Sequence, residues 1–325
     1  MGNALVDIMT EMPDDDLLKE FDLQKGSMQL VDKDFSSLVL QKIQQYKKSE
    51  ISGGSAANTI FGLAAMGVET AFIGKVGRDR LGELFEKDLA YNGIRPLLQY
   101  SDNETGHALA LVSPDGERTF ATFLGAAIEL EPGDLSSEMF KGYTHFYIEG
   151  YLVQHHELIR RAVELAKEND LDVILDLASF NVVEDNLDFL RFLVKEYADV
   201  VFANAEEARV FSNGKKPEEA LADIAGNCWI AVVKTGKEGS LVQNVDQVFK
   251  IPANEVNCID TTGAGDLYAS GFLYGMHSKL GLALCGELGS IFAGKVIEII
   301  GARIPDATWI EIKNLAKNVT YKQLG

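Results

Sequence analysis

The segment Asp260-Thr261-Thr262-Gly263-Ala264-Gly265-Asp266 places small residues and a carboxylate just ahead of an apolar, helix-periodic run, Leu267–Phe272. Gly263, Ala264 and Gly265 carry little side chain, so a ligand can come close to their backbone. At a helix N-terminus the first N–H groups have no acceptor within the helix, and the helix dipole favours an anion there. Such a turn can hold the negative charge of a phosphoryl group in transfer. Asp266, in the first turn, can accept the proton of an attacking hydroxyl. A capped helix start with a first-turn acid is the plainer reading of the same residues. The turn is not a Walker A loop, because no Gly-Lys-Ser/Thr follows. Gly289–Lys295 (GSIFAGK) comes near that pattern, but it runs on into Val296 inside an apolar stretch and reads as ordinary helix.

Weaker signals lie elsewhere. In Ser52-Gly53-Gly54-Ser55-Ala56-Ala57-Asn58-Thr59 two glycines meet a helix start, so backbone amides and Asn58 could bond the hydroxyls of a polar ligand. A tight strand-to-helix turn explains it equally well. Asn204-Ala205-Glu206-Glu207 follows the strand candidate Val200–Ala203. Ligands bind at the carboxyl edge of a parallel sheet, and residues three apart share a helix face. Asn204 and Glu207 could hold water ligands of Mg²⁺, or form an N-cap with first-turn acids. Thr235, Gly236 and Gly239 lie in a turn between two strands, which is a weak signal for a nucleotide phosphate. Asp7 closes the apolar run Gly2–Val6, where a carboxylate at a strand end can bind paired hydroxyls or simply face water. Arg118 projects from a hairpin and could reach developing phosphate charge, or be a surface arginine. The histidines, including His155-His156, have no metal-like partners.

These residues need elements to position them. From about residue 140, strand candidates Thr144–Glu149, Val173–Leu177, Val200–Ala203 and Trp229–Lys234 alternate with helix candidates His155–Asn169, Asn186–Tyr197 and Pro217–Gly226. That alternation predicts a parallel sheet with helices on both faces, and the strands are unbroken apolar runs, as burial on both faces requires. The earlier part differs. His107–Val112 and Glu117–Phe123 flank the turn Ser113-Pro114-Asp115-Gly116 and predict a hairpin. With short strands at Gly26–Asp32 and Ile51–Gly54 this makes a small β-rich layer, either a lid or an edge extension.

The 325 residues allow one large domain or two smaller ones, and 46% hydrophobic content supports a sizeable core. A net charge of −19 argues against nucleic acid, which rewards basic surface, but not against ATP. Cys228, Cys258 and Cys285 match no zinc spacing and predict reduced thiols in a cytoplasmic protein. No run of ~18 apolar residues predicts a membrane span. Asp7 and Glu11 interrupt the first stretch, so it does not read as a signal peptide.

Taken together and in order, these segments resemble the ribokinase-like (pfkB) family of carbohydrate kinases over nearly the whole chain. Gly53–Gly82 (GGSAANTIFGLAAMGVETAFIGKVGRDRLG) looks like its N-terminal signature, Asp260–Asp266 its C-terminal signature, and Asn204-x-x-Glu207 its magnesium motif. The resemblance implies an α/β fold: a Rossmann-like, three-layer α/β/α body at 1–10, 55–95 and 127–325, and a small, discontinuous β-sheet lid at 11–54 and 96–126. It implies Asp266 as base, with the amides of Gly263, Ala264 and Gly265 holding the transferring group; Arg118, from its place on the hairpin, would join them as a catalytic residue. Asp7, Gly53, Gly54 and Asn58 would contact substrate, and Asn204, Thr235, Gly236 and Gly239 would face ATP. Glu207 would hold Mg²⁺ through water, and K⁺ would sit near Asp260 and Thr262.

Within the family the chain most resembles the adenosine-kinase-like branch, on Gly2–Asp7, the insertion Asp14–Phe21 and Lys25–Leu30. Phe180 and Phe202 would then meet a purine. Relatives usually carry several residues before the first Gly-Asn, whereas here Met1 precedes it directly, so either the start is shortened or the first strand is clipped. The expected activity is ATP-dependent phosphorylation of a nucleoside hydroxyl, adenosine first. A sugar such as ribose, fructose or 2-keto-3-deoxygluconate is the alternative, and a non-catalytic sensor is the rival of another class. A dehydrogenase-type nucleotide binder ranks behind these, because no GxGxxG follows the first strand. The small-molecule substrate is the expected partner, with no nucleic acid and no membrane, and the lid strands leave room for a lid-to-lid homodimer.

Overall fold

A computed structural model of the chain describes residues 1–245 and 247–322. The first part contains β1 (Leu5–Glu11), α1 (Asp16–Glu20), β2 (Met28–Leu30), α2 (Lys33–Lys42), β3 (Lys48–Gly53), α3 (Ser55–Ala65), β4 (Thr70–Gly77), α4 (Arg80–Tyr91), β5 (Ile94–Ser101), β6 (Thr105–Val112) and β7 (Arg118–Gly125). Then come β8 (His145–Glu149), α5 (His156–Glu168), β9 (Asp172–Asp176), α6 (Phe180–Asp185), α7 (Leu187–Glu196), β10 (Val200–Asn204), α8 (Ala205–Phe211), α9 (Pro217–Ala225) and β11 (Ile230–Lys234). The chain continues through β12 (Ser240–Gln243), β13 (Val248–Ile251), α10 (Ala264–His277), α11 (Leu282–Val296) and α12 (Asp306–Lys322).

The apolar runs form a six-stranded sheet in the order β13-β12-β11-β10-β9-β8. Strands β8 to β11 are parallel, and β12 and β13 close one edge antiparallel. Successive side chains of a strand point to opposite faces. Accordingly Val200 and Phe202 of β10 pack with Tyr268 and Phe272 of α10, while Val201 and Ala203 pack with residues of α5, α7 and α9. One strand thus feeds two cores, which makes the body three layers. Strands β4 and β5 pair in parallel. The chain's first residues lace that pair to the large sheet: Gly2 N donates to the Ile73 carbonyl in β4, and Glu149 N in β8 donates to the Met1 carbonyl.

Beyond that stitch, β1 enters a five-stranded sheet, β2-β7-β6-β1-β3. It pairs with β6 in parallel and with β3 antiparallel. The hairpin β6–β7 turns where the sequence places it, with Gly116 N donating to the Ser113 carbonyl. Asp7 does not end a strand: it is internal to β1, opposite Ile51 and Ala108. The β1 pattern alternates, with Val6 and Ile8 buried and Leu5, Asp7 and Met9 partly open, so the charge interrupts the apolar run without ending the strand. The division at 95/96 falls within β5, whose partner is β4, and β1 within 1–10 lies in the small sheet. Among the described residues no helix is long and apolar enough to cross a membrane.

Candidate active site

A cleft of about 1670 Å³ opens between the small sheet and the carboxyl ends of the parallel strands. Single-ligand pockets run to ~300–1,000 Å³, so this one has room for two ligands. Its floor follows from strand register. Strands β8, β9, β10 and β11 each end an apolar run with a polar residue, namely Glu149, Asp176, Asn204 and Lys234. All four line the cleft.

Across the floor, α10 starts at Ala264 behind Gly263, which has φ +76°. That left-handed conformation favours glycine, and a Cβ there would lie 2.5 Å from the Ala302 Cβ. Of the three expected amides, Ala264 N–H is already used, donating to the Thr261 carbonyl at 3.1 Å. The open side of Gly265 faces Lys234, since a Cβ there would stand 3.2 Å from its Nζ. Gly263, Ala264, Gly265 and Asp266 all line the cleft.

Helix α3 holds the Asp266 carboxylate with both of its first turns. Ser55 Oγ donates to Oδ1 at 2.7 Å and Asn58 Nδ2 to Oδ2 at 2.9 Å. Thr59 Oγ1 donates to the Asp266 carbonyl at 3.1 Å. Burial pushes the Asp266 carboxyl up to about 6; the Asn58 and Ser55 bonds pull it back, Asp176 pushes further, and Lys234 offsets that. A carboxylate poised near 6 is ionised at neutral pH yet basic enough to take a proton.

Lys234 Nζ pairs with Asp176 Oδ2 at 3.0 Å, both largely buried. Burial works against the lysine's charge, but Asp176 and Glu207 outweigh it and hold the ammonium above its ordinary value. Glu207 and Asn204 form the capping box of α8: Asn204 N donates to Glu207 Oε2 at 2.8 Å, and Glu207 N to Asn204 Oδ1 at 2.9 Å. Burial pushes Glu207 up to about 7, against the pull of Lys234. Among the described residues no group of three His, Cys, Asp or Glu side chains could grip a metal ion directly. The oxygen donors Asn204 and Glu207 on the cleft wall suit Mg²⁺ that keeps its water and phosphate shell.

Asp7 lines the cleft, and burial pushes its carboxyl up to about 6, with Arg303 and Arg118 pulling it down and Asp266 pushing it up. Gly54 and Asn58 share that wall. Gly53 does not: a Cβ there would lie 2.4 Å from Asp7 Oδ2, so its bare Cα makes room for the acid instead of touching a ligand. In the β11–β12 turn, Gly236 and Gly239 reach the cleft. Thr235 is turned away, its Oγ1 donating to the Gly239 carbonyl at 2.9 Å.

Three further expectations are corrected. Arg118 does not project into the cleft; it is buried, with Nη1 2.7 Å from Asp260 Oδ2. The carboxylate of Asp260 is saturated, because Oδ1 accepts Thr262 N and Oγ1 while Oδ2 accepts Gly301 N as well as Arg118. With a guanidinium as counter-ion and both oxygens engaged, the Asp260 carboxylate does not fit a bound K⁺. Phe202 is fully buried against Tyr268 and Phe272, and Phe180 is 46% exposed off the cleft wall, so neither meets a purine there. The apolar wall is built instead from Leu5, Met28, Leu30, Phe120, Leu124 and Ile128, with Tyr151 nearby on the rim of the floor. Gly289–Lys295 lies inside α11, as expected of ordinary helix.

Sequence reasoning missed Ser55, Glu149, Asp176 and Lys234. For three of them the signal was present: Glu149, Asp176 and Lys234 each end an apolar strand run on the same sheet edge, whereas Ser55 opens α3 after the polar strand β3 of the small sheet.

A doubly covered parallel sheet, a glycine turn opposite a raised carboxyl and a roofing small sheet define a ribokinase-like small-molecule kinase with a sugar or nucleoside acceptor. Comparisons with known proteins agree. The sequence profile of the pfkB family carbohydrate kinases matches residues 28–309. A 5-dehydro-2-deoxygluconokinase of Listeria monocytogenes serovar 1/2a is 30% identical over 82% of this chain and 87% of that protein. A probable sugar kinase from Rhizobium etli CFN 42 superposes with a TM-score of 0.87 at 32% identity, covering 98% of this chain and 97% of that one. The adenosine kinase from Sinorhizobium meliloti gives 0.86 at 34% identity with the same coverage. The chain belongs to the pfkB family of carbohydrate kinases.

Proposed function

We propose that this chain is an ATP-dependent kinase that phosphorylates a primary hydroxyl of a nucleoside, with adenosine as its preferred acceptor. The observation that carries this is the apolar wall of the small sheet. Met28 and Leu30 are half exposed and, with Phe120 and Leu124 of the same sheet and Ile128 just after it, line the cleft that Asp7 also lines. A free sugar has no use for such a wall, whereas a purine stacked there buries its faces while its ribose reaches the acids. The 34% identity to the Sinorhizobium adenosine kinase supports the same reading.

In this mechanism Asp7 and Asn58 bind ribose hydroxyls and aim the primary hydroxyl at Asp266. The Asp266 carboxylate takes the hydroxyl proton as the oxygen bonds to the γ-phosphorus. The bond from that phosphorus to the β–γ bridging oxygen breaks and ADP leaves. The N–H groups of α10's first turn other than that of Ala264, together with the Lys234 ammonium beside Gly265, stabilise the charge of the transferring group. Gly236 and Gly239 let ATP approach the β11–β12 turn. Mg²⁺, held through water beside Asn204 and Glu207, would neutralise phosphate charge. The free thiols Cys228, Cys258 and Cys285 suit a reducing cytoplasm.

The names of the Listeria relatives favour a second reading, a kinase of a keto-sugar acid. An ADP-release assay over adenosine, other nucleosides, ribose, fructose, 2-keto-3-deoxygluconate and 5-dehydro-2-deoxygluconate tests both. Adenosine should give the highest kcat/KM. Turnover confined to sugars would transfer the assignment to them. ATP binding without ADP release from any acceptor would leave a sensor.

A further inference from the structure

Glu149 ends β8, is 1% exposed, and is used by no step above. Its two oxygens collect three N–H donors. Oε1 accepts from Asn3 N at 2.7 Å and Asn3 Nδ2 at 2.8 Å, and Oε2 accepts from Ala56 N at 2.8 Å. Ala56 is the second residue of α3, so this is the bond that a helix's own N-cap side chain ordinarily makes.

The helix cannot supply that cap itself. Its N-cap is Gly54, held at φ +94°. A Cβ there would lie 2.5 Å from the Asn3 carbonyl oxygen, so no Ser, Thr or Asp fits. The capping oxygen therefore comes from another strand. Space has been kept for it: a Cβ on Gly2 would lie 2.5 Å from Glu149 Oε2. A negative group at a helix N-terminus is also favoured by the helix dipole. The first turns of this helix carry Ser55 and Asn58, the two donors that grip opposite oxygens of Asp266.

We propose that Glu149 is a positioning residue, a cap supplied to α3 from across the sheet that fixes Ser55 Oγ and Asn58 Nδ2 on the Asp266 carboxylate. This rests on the reading of Asp266 as the proton acceptor. Burial pushes the Glu149 carboxyl up to about 7, while the Asn3 and Ala56 N–H groups and the Met1 amine draw it back and Asp266 pushes it up. The charged groups acting on Asp266 itself are Asp176 from β9 and Lys234 from β11, with Asp7 and Glu149 coupled to it across the cleft.

The test is a carboxyl ¹³C NMR titration of Asp266, assigned with Asp266→Asn, in the wild type, Glu149→Gln and Glu149→Asp. Glutamine loses the anionic cap, and aspartate keeps the charge but is one methylene too short. In both, Asp266 should titrate at higher pH than in the wild type, because the Ser55 and Asn58 bonds that hold it down are lost. In parallel, kcat should fall on the order of 10-fold or more with the KM for ATP little changed, as for a misaligned catalytic group. An unmoved or lowered Asp266 midpoint in Glu149→Gln would overturn the proposal, the latter pointing to a purely electrostatic role. Wild-type behaviour of Glu149→Asp would overturn it too. Loss of a cooperative thermal transition in both variants would make Glu149 a folding element and also overturn it. Failure of the kinase reading is separate: the wild type would then release no ADP with any acceptor, while the titration still reports on Asp266.

Discussion

Arg118 Nη1 lies 2.7 Å from Asp260 Oδ2, which ties the hairpin strand β7 to the turn that leads into α10. Both side chains are largely buried, so the attraction is little screened. Removing one partner of such a pair costs ~3–5 kcal/mol, because the other charge stays buried and uncompensated. The bonds from Thr262 and Gly301 still steady Asp260, so Arg118→Met should sit at the low end of that range. Denaturant unfolding measures it. An unchanged midpoint would show that the pair contributes nothing.

The same saturation of Asp260 bears on ion dependence. With both oxygens engaged, exchanging Na⁺ for K⁺ at constant ionic strength should leave kcat unchanged. A steady-state series in the two salts decides this, and strong activation specific to K⁺ would refute it.

Asp266→Asn should cut kcat by roughly 10²-fold or more while nucleotide binding persists, as expected for loss of a general base. Asp266 and Asp7 are both pushed up to about 6, so wild-type kcat/KM should fall as pH drops through that value and level off above it. For stability the sign is opposite. A carboxyl raised in the fold contributes stability that is fully present below its unfolded pKa and lost as pH rises through its folded value. Asp266→Asn should therefore raise the Tm at pH 8 and leave it nearly unaltered at pH 5. Equal shifts at both pH values would contradict this.

Lys234 is the cation between Asp176 and the glycine turn. Lys234→Met removes the charge that offsets Asp176 at Asp266. The acid limb of kcat/KM should then move to higher pH, and stability should drop by ~3–5 kcal/mol as Asp176 is left unpaired. A pH profile that stays in place would show that Lys234 does not act on Asp266.

The two glycines of the turn should respond differently. Gly263→Ala meets both a left-handed backbone, costing ~1–2 kcal/mol, and the Ala302 methyl. Gly265→Ala meets only the movable end of Lys234. Thermal melting should show clear destabilisation in the first and little in the second, whose loss should appear in kcat. The reverse order would place the functional approach at Gly263.

The body was legible because its signals are local. Runs such as Val200–Ala203 and the 3.6-residue rhythm of His156–Glu168 belong to single segments. The glycine turn and Asp266 were legible for the same reason. What the sequence hid was set by distant partners. Arg118 reads as a projecting arginine until Asp260 is folded beneath it. Gly53 reads as a ligand contact until Asp7 fills the space beside it. Phe202 sits among cleft residues in the chain, yet it lies two residues inside the strand, where Tyr268 and Phe272 of α10 cover it, while Asn204 is exposed because it ends the strand. Asp176 and Lys234 each look like an ordinary turn residue, and only parallel register sets them on one ledge.

The stitch of Met1 and Gly2 between β4 and β8 means that β1 leaves the body already anchored and carries Asp7 with it. One half of the acceptor's seat is thereby preset. The opposite rim is tied more lightly: Met28 and Leu30 sit on the three-residue outer strand β2, which pairs only with β7.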